Sequence, residues 1–304
     1  MENILSIIYN ILFLFIKPQI KKRSTHKKYY FSVCGIFKNE SSILREWIFY
    51  YKVIGTDHIY LYNNNSDDDY LSILQPFIDD GFVTLLDWPQ NHAQMEAYDD
   101  CFRKNRNETV WLAFFDLDEF LCPLQENNIK DFLAKFEGYP GLIVFWQMFG
   151  TNGQIEPIPG KLVCEQYTCS WPQLDGTGKV IVSTSPFYEP THIYNHSMYF
   201  RCKVFFNLKV PVITENKHFH WFPQIYRSPK KNSVQLNHYF SRSWKEYIQK
   251  VNKGSVASSL NTETRKKVDF FSLHESQNTI ENKSIFRFMI KLKLLYYNIE
   301  NPLQ

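Results

Sequence analysis

The sequence predicts an α/β fold in which a mostly parallel central sheet is flanked by helices and followed by a helical C-terminal extension. Short apolar runs alternate with segments of helical spacing along the middle of the chain. Hydrophobic residues make up 44% of the 304 residues, enough for a large core. Polar clusters follow three of the apolar runs, and ligands of open α/β sheets bind at the carboxyl ends of the strands. We therefore expect these clusters to line one crevice.

The predicted elements follow one another in chain order. Short apolar runs bounded by polar or glycine-containing segments indicate strands. Four such runs cover residues 31–37, 58–62, 82–86 and 111–115. A helix is predicted after the first strand, because apolar residues recur at helical spacing from Ile43 to Tyr51. Asn39 or Ser41 is expected to cap its first turn, and Gly55 to end it.

Positive charge is concentrated at the two ends of the chain, although the net charge is only +3. No acidic residue lies between Glu2 and Glu40, and this stretch contains Lys17, Lys21, Lys22, Arg23, Lys27 and Lys28. A second stretch without acids contains Lys283, Arg287, Lys291 and Lys293. Without these ends the body has more acidic than basic residues, which disfavours a nucleic-acid-binding protein.

The chain is predicted to have three parts: an apolar and basic segment over residues 1–28, the α/β domain over 29–255, and a basic, amphipathic helical extension over 256–304. The apolar run at residues 4–16 is shorter than the ~20 residues that a helix needs to cross a bilayer. Its positive charges follow it, unlike those of a secretory signal. We expect this run to lie on an anionic membrane surface. The C-terminal stretch has two interpretations, a helix packed on the domain or a second membrane contact.

The six cysteines indicate a reducing environment. They are scattered without a C-x-x-C pair, so neither a disulfide framework nor a zinc site is expected. Since the first residues do not resemble an export signal, the predicted location is the cytoplasm, with the protein peripheral on the inner face of the membrane.

Asp116 and Asp118, at the end of the fourth predicted strand, are the strongest signal for a site. Residues i and i+2 of an extended segment point to the same side. Both carboxylates can then converge on one Mg²⁺ or Mn²⁺ ion, which keeps coordination positions for a diphosphate. Asp118 is expected to be the principal ligand, with Asp116 shared between the metal and a ribose. The alternative is a strand-end turn with solvated acids.

The polar residues after the first two strands are expected in the same crevice. Lys38, Asn39 and Glu40 follow the first strand, and Asn64 lies in an asparagine-rich loop after the second. An asparagine amide can pair with the donor and acceptor edges of a base. The three clusters together predict a site for a nucleoside diphosphate.

Several blocks of the chain resemble glycosyltransferase family 92 and its bacterial family-2-like relatives in order and spacing. They cover roughly residues 30–255. The blocks are VCGIFKNE (33–40), LREW (44–47), DHIYLYNNNSDD (57–68), WLAFFDLDEFL (111–121), WQMFGTNG (146–153), LNHY (236–239), SRSW (241–244) and KVNKG (250–254). Two positions depart from these relatives: Asn63 stands where they commonly have aspartate, and Gln154 where they often have histidine.

The resemblance implies a GT-A glycosyltransferase domain, which is a Rossmann-like α/β fold. It also implies a UDP-sugar donor, a divalent metal and inversion at the anomeric carbon. Family habit suggests galactose as the sugar. The expected acceptor is a glycan or glycolipid, such as lipopolysaccharide, capsule or another surface polysaccharide.

Further site residues are expected downstream of the aspartates. His218 and His220 are candidates to complete the metal site, as a downstream histidine often does in GT-A enzymes, and His238 is a candidate contact to the diphosphate or the acceptor. An inverting transfer needs a general base, for which Asp175 and Glu165 are the candidates. Lys203, near Arg201, is a candidate to neutralise the diphosphate.

Two other functions are compatible with parts of the sequence. Residues 115–119 resemble the start of a haloacid-dehalogenase-like phosphatase, in which Asp116 would be the nucleophile. However, Phe120 stands where those enzymes carry threonine or valine, and three predicted strands precede the motif. The other alternative is a non-catalytic glycan-binding protein or membrane adaptor on the same fold.

Overall fold

The computed structural model describes residues 7–11, 13–15, 27–193, 198–203, 208–219, 232–254 and 268–299. The strands in these residues are β1 (Tyr29–Phe37), β2 (His58–Asn63), β3 (Val83–Asp87), β4 (Thr109–Phe114), β5 (Glu119–Pro123), β6 (Gly141–Met148), β7 (Cys169–Ser170), β8 (Gly178–Ser183), β9 (Tyr188–Ile193), β10 (Met198–Cys202), β11 (Leu208–Pro211), β12 (Val234–His238) and β13 (Ile280–Glu281).

The helices are α1 (Ser41–Val53), α2 (Tyr70–Asp79), α3 (Gln94–Asn105), α4 (Ile129–Ala134), α5 (Val163–Gln166), α6 (Trp244–Lys253), α7 (Val268–Ser276) and α8 (Met289–Tyr296), with a 3₁₀ turn at Ser284–Phe288 before α8. Residues 7–11 and 13–15 are also helical.

An eight-stranded sheet with the order β3-β2-β1-β4-β8-β6-β12-β5 forms the centre of the domain. The neighbours β3-β2, β2-β1, β1-β4 and β6-β12 are parallel. Strand β8 is antiparallel to β4 and β6, and β5 is antiparallel to β12. This mostly parallel sheet with flanking helices confirms the α/β fold class predicted from the sequence.

The four strands predicted from apolar runs are confirmed as β1 to β4. All residues of β2 and β4 are buried, as are the last seven of β1. Strands covered on both faces read as continuous apolar runs rather than as alternating patterns. This is the reason why the runs identified β1, β2 and β4, whereas in β3 only Val83 is buried.

The first turn of α1 is capped differently from the prediction. Glu40 precedes the helix, and neither Asn39 nor Ser41 caps it with its own side chain. Instead, the carboxylate of Asp68 accepts the Ser41 backbone N–H at 2.7 Å. The predicted cap was wrong because a residue distant in sequence supplies the acceptor.

The C-terminal helix packs on the domain, which is one of the two interpretations of the basic C-terminal stretch. Ile285, Phe288 and Leu292 are buried. The guanidinium of Arg287 donates to the carbonyls of Pro123 and Gln125. Lys293 forms an ion pair with Glu165. Two of the four basic residues at this end, Arg287 and Lys293, therefore make contacts within the folded domain.

All six cysteines lie in the described residues, and none forms a disulfide. Five of them are buried. None of the helices described by the structure is long and apolar enough to cross a membrane.

Acid pH is expected to destabilise the fold through His58. Burial lowers the pKa of His58 to about 4, whereas an unfolded chain has a histidine pKa of about 6.5. As the pH falls from 7 to 5, the unfolded state therefore takes up the proton first. The free energy of unfolding is expected to decrease by about 2 kcal/mol over this range. Urea unfolding of the wild type and of His58→Asn at both pH values measures this loss. A loss of the same size in the variant would contradict the prediction.

Candidate functional site

Asp116 and Asp118 lie in a tight turn between β4 and β5. Strand β4 ends at Phe114, and the Glu119 N–H donates to the Asp116 carbonyl at 3.1 Å, which closes a β-turn. The expectation that both carboxylates extend from one strand was wrong. The two aspartates have different hydrogen-bond partners.

Asp116 has hydrogen bonds at both carboxylate oxygens. Oδ1 accepts from the Gln94 amide at 2.7 Å and from the Tyr98 hydroxyl at 3.1 Å. Oδ2 accepts from Nζ of Lys179 at 2.9 Å, and this lysine side chain is completely buried. Burial would raise the pKa of Asp116, but the Lys179 ammonium outweighs burial and lowers it. Asp116 is therefore an ionised carboxylate held by a buried cation.

Glu119 fixes the turn from inside the domain. Its Oε2 accepts the Asp116 backbone N–H at 2.9 Å, and its Oε1 accepts the indole N–H of Trp146 at 2.8 Å. The side chain is completely buried, and burial raises its pKa well above the usual value although Lys179 lies 3.9 Å away. Glu119 therefore positions the aspartates rather than presenting its carboxylate to solvent.

Asp118 faces a histidine and a lysine. Its Oδ2 lies 3.5 Å from Nε2 of His238, the last residue of β12. The same oxygen accepts from the ammonium of Lys250, which also donates to the Phe240 carbonyl at 3.1 Å. Burial would raise the pKa of Asp118, but Lys250 and His238 hold it well below its usual value. Burial lowers the pKa of His238. The pair is thus an ionised carboxylate beside a neutral imidazole.

Helix α6 brings a second group of charges to the same end of the sheet. Glu40 forms an ion pair with Lys253 and lies 3.4 Å from Nη2 of Arg242. Arg242 is buried and has a φ of 51°, an uncommon value for a residue with a side chain. Ser243 and Glu246 then form a capping box that starts the helix. This arrangement fixes the position of Lys250 opposite Asp118.

The structure brings the residues after the first two strands to the carboxyl edge of the sheet, as expected. The Asn39 amide exchanges two hydrogen bonds with Asp67 in the loop after β2. The Asn64 amide nitrogen donates to the carbonyls of Trp88 and Gln90, each at 2.7 Å. Lys38 is half-buried at the end of β1. The asparagines therefore hold together the loops at this edge of the sheet.

Several predicted site residues do not join the aspartates. Lys203 forms an ion pair with Glu189 at 3.2 Å beside the separate three-stranded sheet of β9, β10 and β11. Glu165 forms an ion pair with Lys293 of α8 at 2.7 Å. His218 is exposed in a loop, where its backbone pairs with Thr214. His220 lies outside the described residues.

Asp175 is connected to the aspartate turn through Trp146. Its backbone N–H donates to the carbonyl of Trp146 at 2.8 Å, and the indole of Trp146 is the group that binds Glu119. The half-buried carboxylate of Asp175 accepts from the backbone and the hydroxyl of Thr177. Trp146 therefore contacts both Asp175 and the turn, whereas no such contact connects Glu165, the other candidate for the general base, to the turn in the described residues.

Sequence reasoning missed the two lysines that form ion pairs with the aspartates. Lys179 sits alone in the apolar strand β8, and lysine is almost never fully buried unless it is paired. This pattern could have identified it as the partner of a buried acid. Lys250 has no such signal, because it lies on an amphipathic helix where exposed lysines are ordinary.

Asp118 and His238 are the described side chains that fit a divalent metal. The carboxylate is ionised and the imidazole is neutral, as metal ligands must be. Nδ1 of His238 is buried without a hydrogen-bond partner, so the ring is not committed to another protein group through that nitrogen. No cluster of three possible ligands occurs among the described residues. Mg²⁺ sites commonly combine one or two protein ligands with substrate phosphates, so a diphosphate would complete the shell.

The family model for glycosyltransferase family 92 matches residues 27–270. A glycosyltransferase family 92 protein of Ricinus communis is 31% identical over 49% of this chain and 28% of its own length. A galactan beta-1,4-galactosyltransferase of Arabidopsis thaliana is 32% identical over 37% of this chain and 25% of its own length. The chain spans about a quarter of the length of these curated relatives.

Solved structures show weaker likeness. TarS of Staphylococcus aureus in complex with UDP has a TM-score of 0.34 and 17% identity, over 51% of this chain and 47% of that chain. Glucosyl-3-phosphoglycerate synthase from Mycobacterium tuberculosis has a TM-score of 0.32 and 13% identity, over 55% and 61% of the two chains.

The family match covers most of the described domain and contains the aspartate turn, Lys179, His238 and Lys250. It also covers the blocks on which the resemblance was based. The chain belongs to glycosyltransferase family 92.

Proposed function

We propose that this protein is a metal-dependent inverting glycosyltransferase that moves a sugar from a UDP-sugar donor to a glycan or glycolipid acceptor. The observation that carries the proposal is the buried Asp118–His238 pair at the carboxyl edge of the sheet, in a chain of this family. Galactose is the proposed sugar, because a matched relative is named a galactan beta-1,4-galactosyltransferase. A surface polysaccharide, such as capsule or lipopolysaccharide, is the proposed acceptor.

Asp118 and His238 would hold Mn²⁺ or Mg²⁺. When bound, such an ion stabilises the negative charge that develops on the departing diphosphate. This assignment replaces the predicted ligands His218 and His220 with His238, whose ring faces the carboxylate directly. Asp116 is not assigned as a ligand in this arrangement, because Gln94, Tyr98 and Lys179 already donate to its two oxygens and its hydrogen bonds among the described residues do not include His238.

Lys250 is the cation of the chain best placed to meet the diphosphate. Its ammonium lies at the Asp118 oxygen that faces His238. A bound metal ion would take over the neutralisation of Asp118, and the ammonium could then donate to a phosphate oxygen. This role was predicted for Lys203, which is bound to Glu189 instead.

Asp175 is the proposed general base that takes the proton of the acceptor hydroxyl. Its side chain is half-buried, and its backbone N–H binds the carbonyl of Trp146, the residue whose indole contacts the turn. Glu165 instead forms an ion pair with Lys293. Asp175→Asn is expected to keep UDP-galactose binding and to lower transfer by roughly 100-fold or more, in the range of a general base. Binding by calorimetry and turnover on a galactose-containing glycan acceptor measure both effects. Unchanged turnover would eliminate Asp175.

His238→Gln tests the metal site. Glutamine fills the space but ligates metals poorly, so Mn²⁺-dependent hydrolysis of UDP-galactose to UDP is expected to fall at least about tenfold. His274→Gln is the matched control, because His274 is a buried histidine that contacts the Phe149 carbonyl rather than Asp118. Equal activity of the wild type and His238→Gln, over a full Mn²⁺ titration, would contradict the assignment.

The position of the motif in the fold disfavours the phosphatase alternative. Asp116 follows the fourth strand of the chain rather than the first, and the chain belongs to glycosyltransferase family 92. We further propose that the protein works at the cytoplasmic face of the membrane, because of the apolar and basic residues that precede the domain.

A further inference from the structure

The helical residues 7–11 and 13–15 divide into two faces. The inner face contains Tyr9, Asn10 and Phe13, and the outer face contains Ile7, Ile8, Ile11, Leu14 and Phe15. At 100° per residue the five outer positions fall within a 120° arc. Such a division is typical of a helix that binds two different surroundings.

The inner face is bound to the domain. Phe13 is completely buried, and its ring lies 5.5 Å from the ring of Tyr139 and 5.4 Å from that of Phe219. Asn10 accepts a hydrogen bond from the Tyr139 hydroxyl at 2.8 Å and donates to the Lys217 carbonyl at 3.0 Å. These contacts fix how the helix is rotated about its axis.

The outer face points away from these contacts. Its five large apolar side chains are between 47% and 75% exposed. The chain after this helix contains Lys17, Lys21, Lys22, Arg23 and Lys28 without an acidic residue. An apolar helix face next to a cluster of positive charge matches an anionic bilayer surface, into which the apolar side chains insert while the basic ones meet the headgroups.

Lys27 is not among the basic residues that are expected to meet the membrane. Its ammonium donates to the carbonyls of Arg106, Thr109 and Thr184, at 2.6, 3.1 and 3.0 Å. Burial lowers its pKa to about 8. Lys27 instead fastens the beginning of the domain to its core.

The helix and the aspartates lie at opposite ends of the sheet. Tyr139 precedes Gly141, the first residue of β6, and Met148 at the other end of β6 pairs with His238. Strand β6 has eight residues, so its ends are about 25 Å apart at ~3.3 Å per residue. The aspartate turn therefore lies near the end of β6 that is farther from this helix.

We infer that the outer face docks the protein on an anionic membrane and that the aspartate turn, which lies about 25 Å further along β6 than the end next to the helix, faces away from the bilayer. The sugar acceptor would then be the distal part of a glycan rather than a sugar attached directly to a lipid headgroup. This last step rests on the proposed transferase function, whereas the membrane contact does not.

Vesicle cosedimentation of the full chain tests the outer face. With vesicles of phosphatidylglycerol and phosphatidylcholine, Ile8→Glu/Ile11→Glu is expected to lose at least tenfold in binding. Ile155→Glu is the matched control, because Ile155 is also an exposed isoleucine, in the loop after Gly153, and it should bind like the wild type. Wild-type binding that is absent, that is equal on pure phosphatidylcholine, or that survives in the double variant would overturn the inference.

Energy transfer to a headgroup dye tests the orientation. Asp69→Cys places a label beyond the carboxyl end of β2, and Ala134→Cys places one five residues before Tyr139; both positions are exposed. Both labels are made in a Cys169→Ser background, since Cys169 is the cysteine that is not buried. Stronger transfer from position 134 supports the orientation, and equal or reversed transfer would overturn it. UDP-galactose hydrolysis by Ile8→Glu/Ile11→Glu should match the wild type, so a failed membrane assay is distinguishable from a failed transferase assignment.

Discussion

Asp118→Asn is expected to abolish sugar transfer, with a loss of roughly 100-fold or more, comparable to the removal of one group that stabilises transition-state charge. The amide keeps the size of the side chain but carries no charge. It can neither hold a divalent cation beside His238 nor neutralise Lys250. Donor binding measured by calorimetry with Mn²⁺ and UDP-galactose, together with UDP release, checks this result.

The same substitution also leaves a nearly buried ammonium without its carboxylate. The Lys250 side chain is only 11% exposed, and breaking a buried ion pair on one side typically costs about 3–5 kcal/mol. Asp118→Asn/Lys250→Met removes both charges and should recover most of this stability while staying inactive. Asp80→Asn is the matched control, because Asp80 forms an exposed ion pair with Lys52. Near-wild-type transfer by Asp118→Asn would remove Asp118 from the mechanism.

Lys179→Met is expected to lower the free energy of unfolding by about 3–5 kcal/mol. The Lys179 side chain is completely buried, and it binds Asp116 while lying 3.9 Å from Glu119. Methionine fills similar space but leaves two acidic groups without their cation. Urea unfolding followed by circular dichroism measures the loss.

Two further variants separate charge from packing. Lys179→Met/Asp116→Asn should regain part of the stability, because the uncompensated carboxylate is gone. Lys104→Met removes a lysine whose ion pair with Asp100 is largely solvent-exposed, and such pairs contribute about 0–1 kcal/mol. If Lys179→Met destabilises no more than Lys104→Met, the buried lysine does not hold the aspartate turn.

The fold class followed from local features of the sequence. The apolar runs of β1 to β4 and the polar residues that follow three of them were visible in short windows. Burial on both faces makes a parallel strand apolar throughout, and the carboxyl edge of such a sheet is where ligands bind. For this reason the sequence alone predicted the sheet, and it indicated the carboxyl edge of that sheet as the place to look for a site.

The tertiary structure decided which side chains meet at that motif. Lys179 is 63 residues from Asp116, and Lys250 is 132 residues from Asp118. His238, rather than His218, faces Asp118, because β12 ends beside β6 and β5 at the carboxyl edge. The ion-pair partner of each aspartate depends on the order of the strands and on where the helices pack. Neither can be read from the periodic pattern of a single sequence. The motif therefore came from the sequence, and its electrostatics came from the fold.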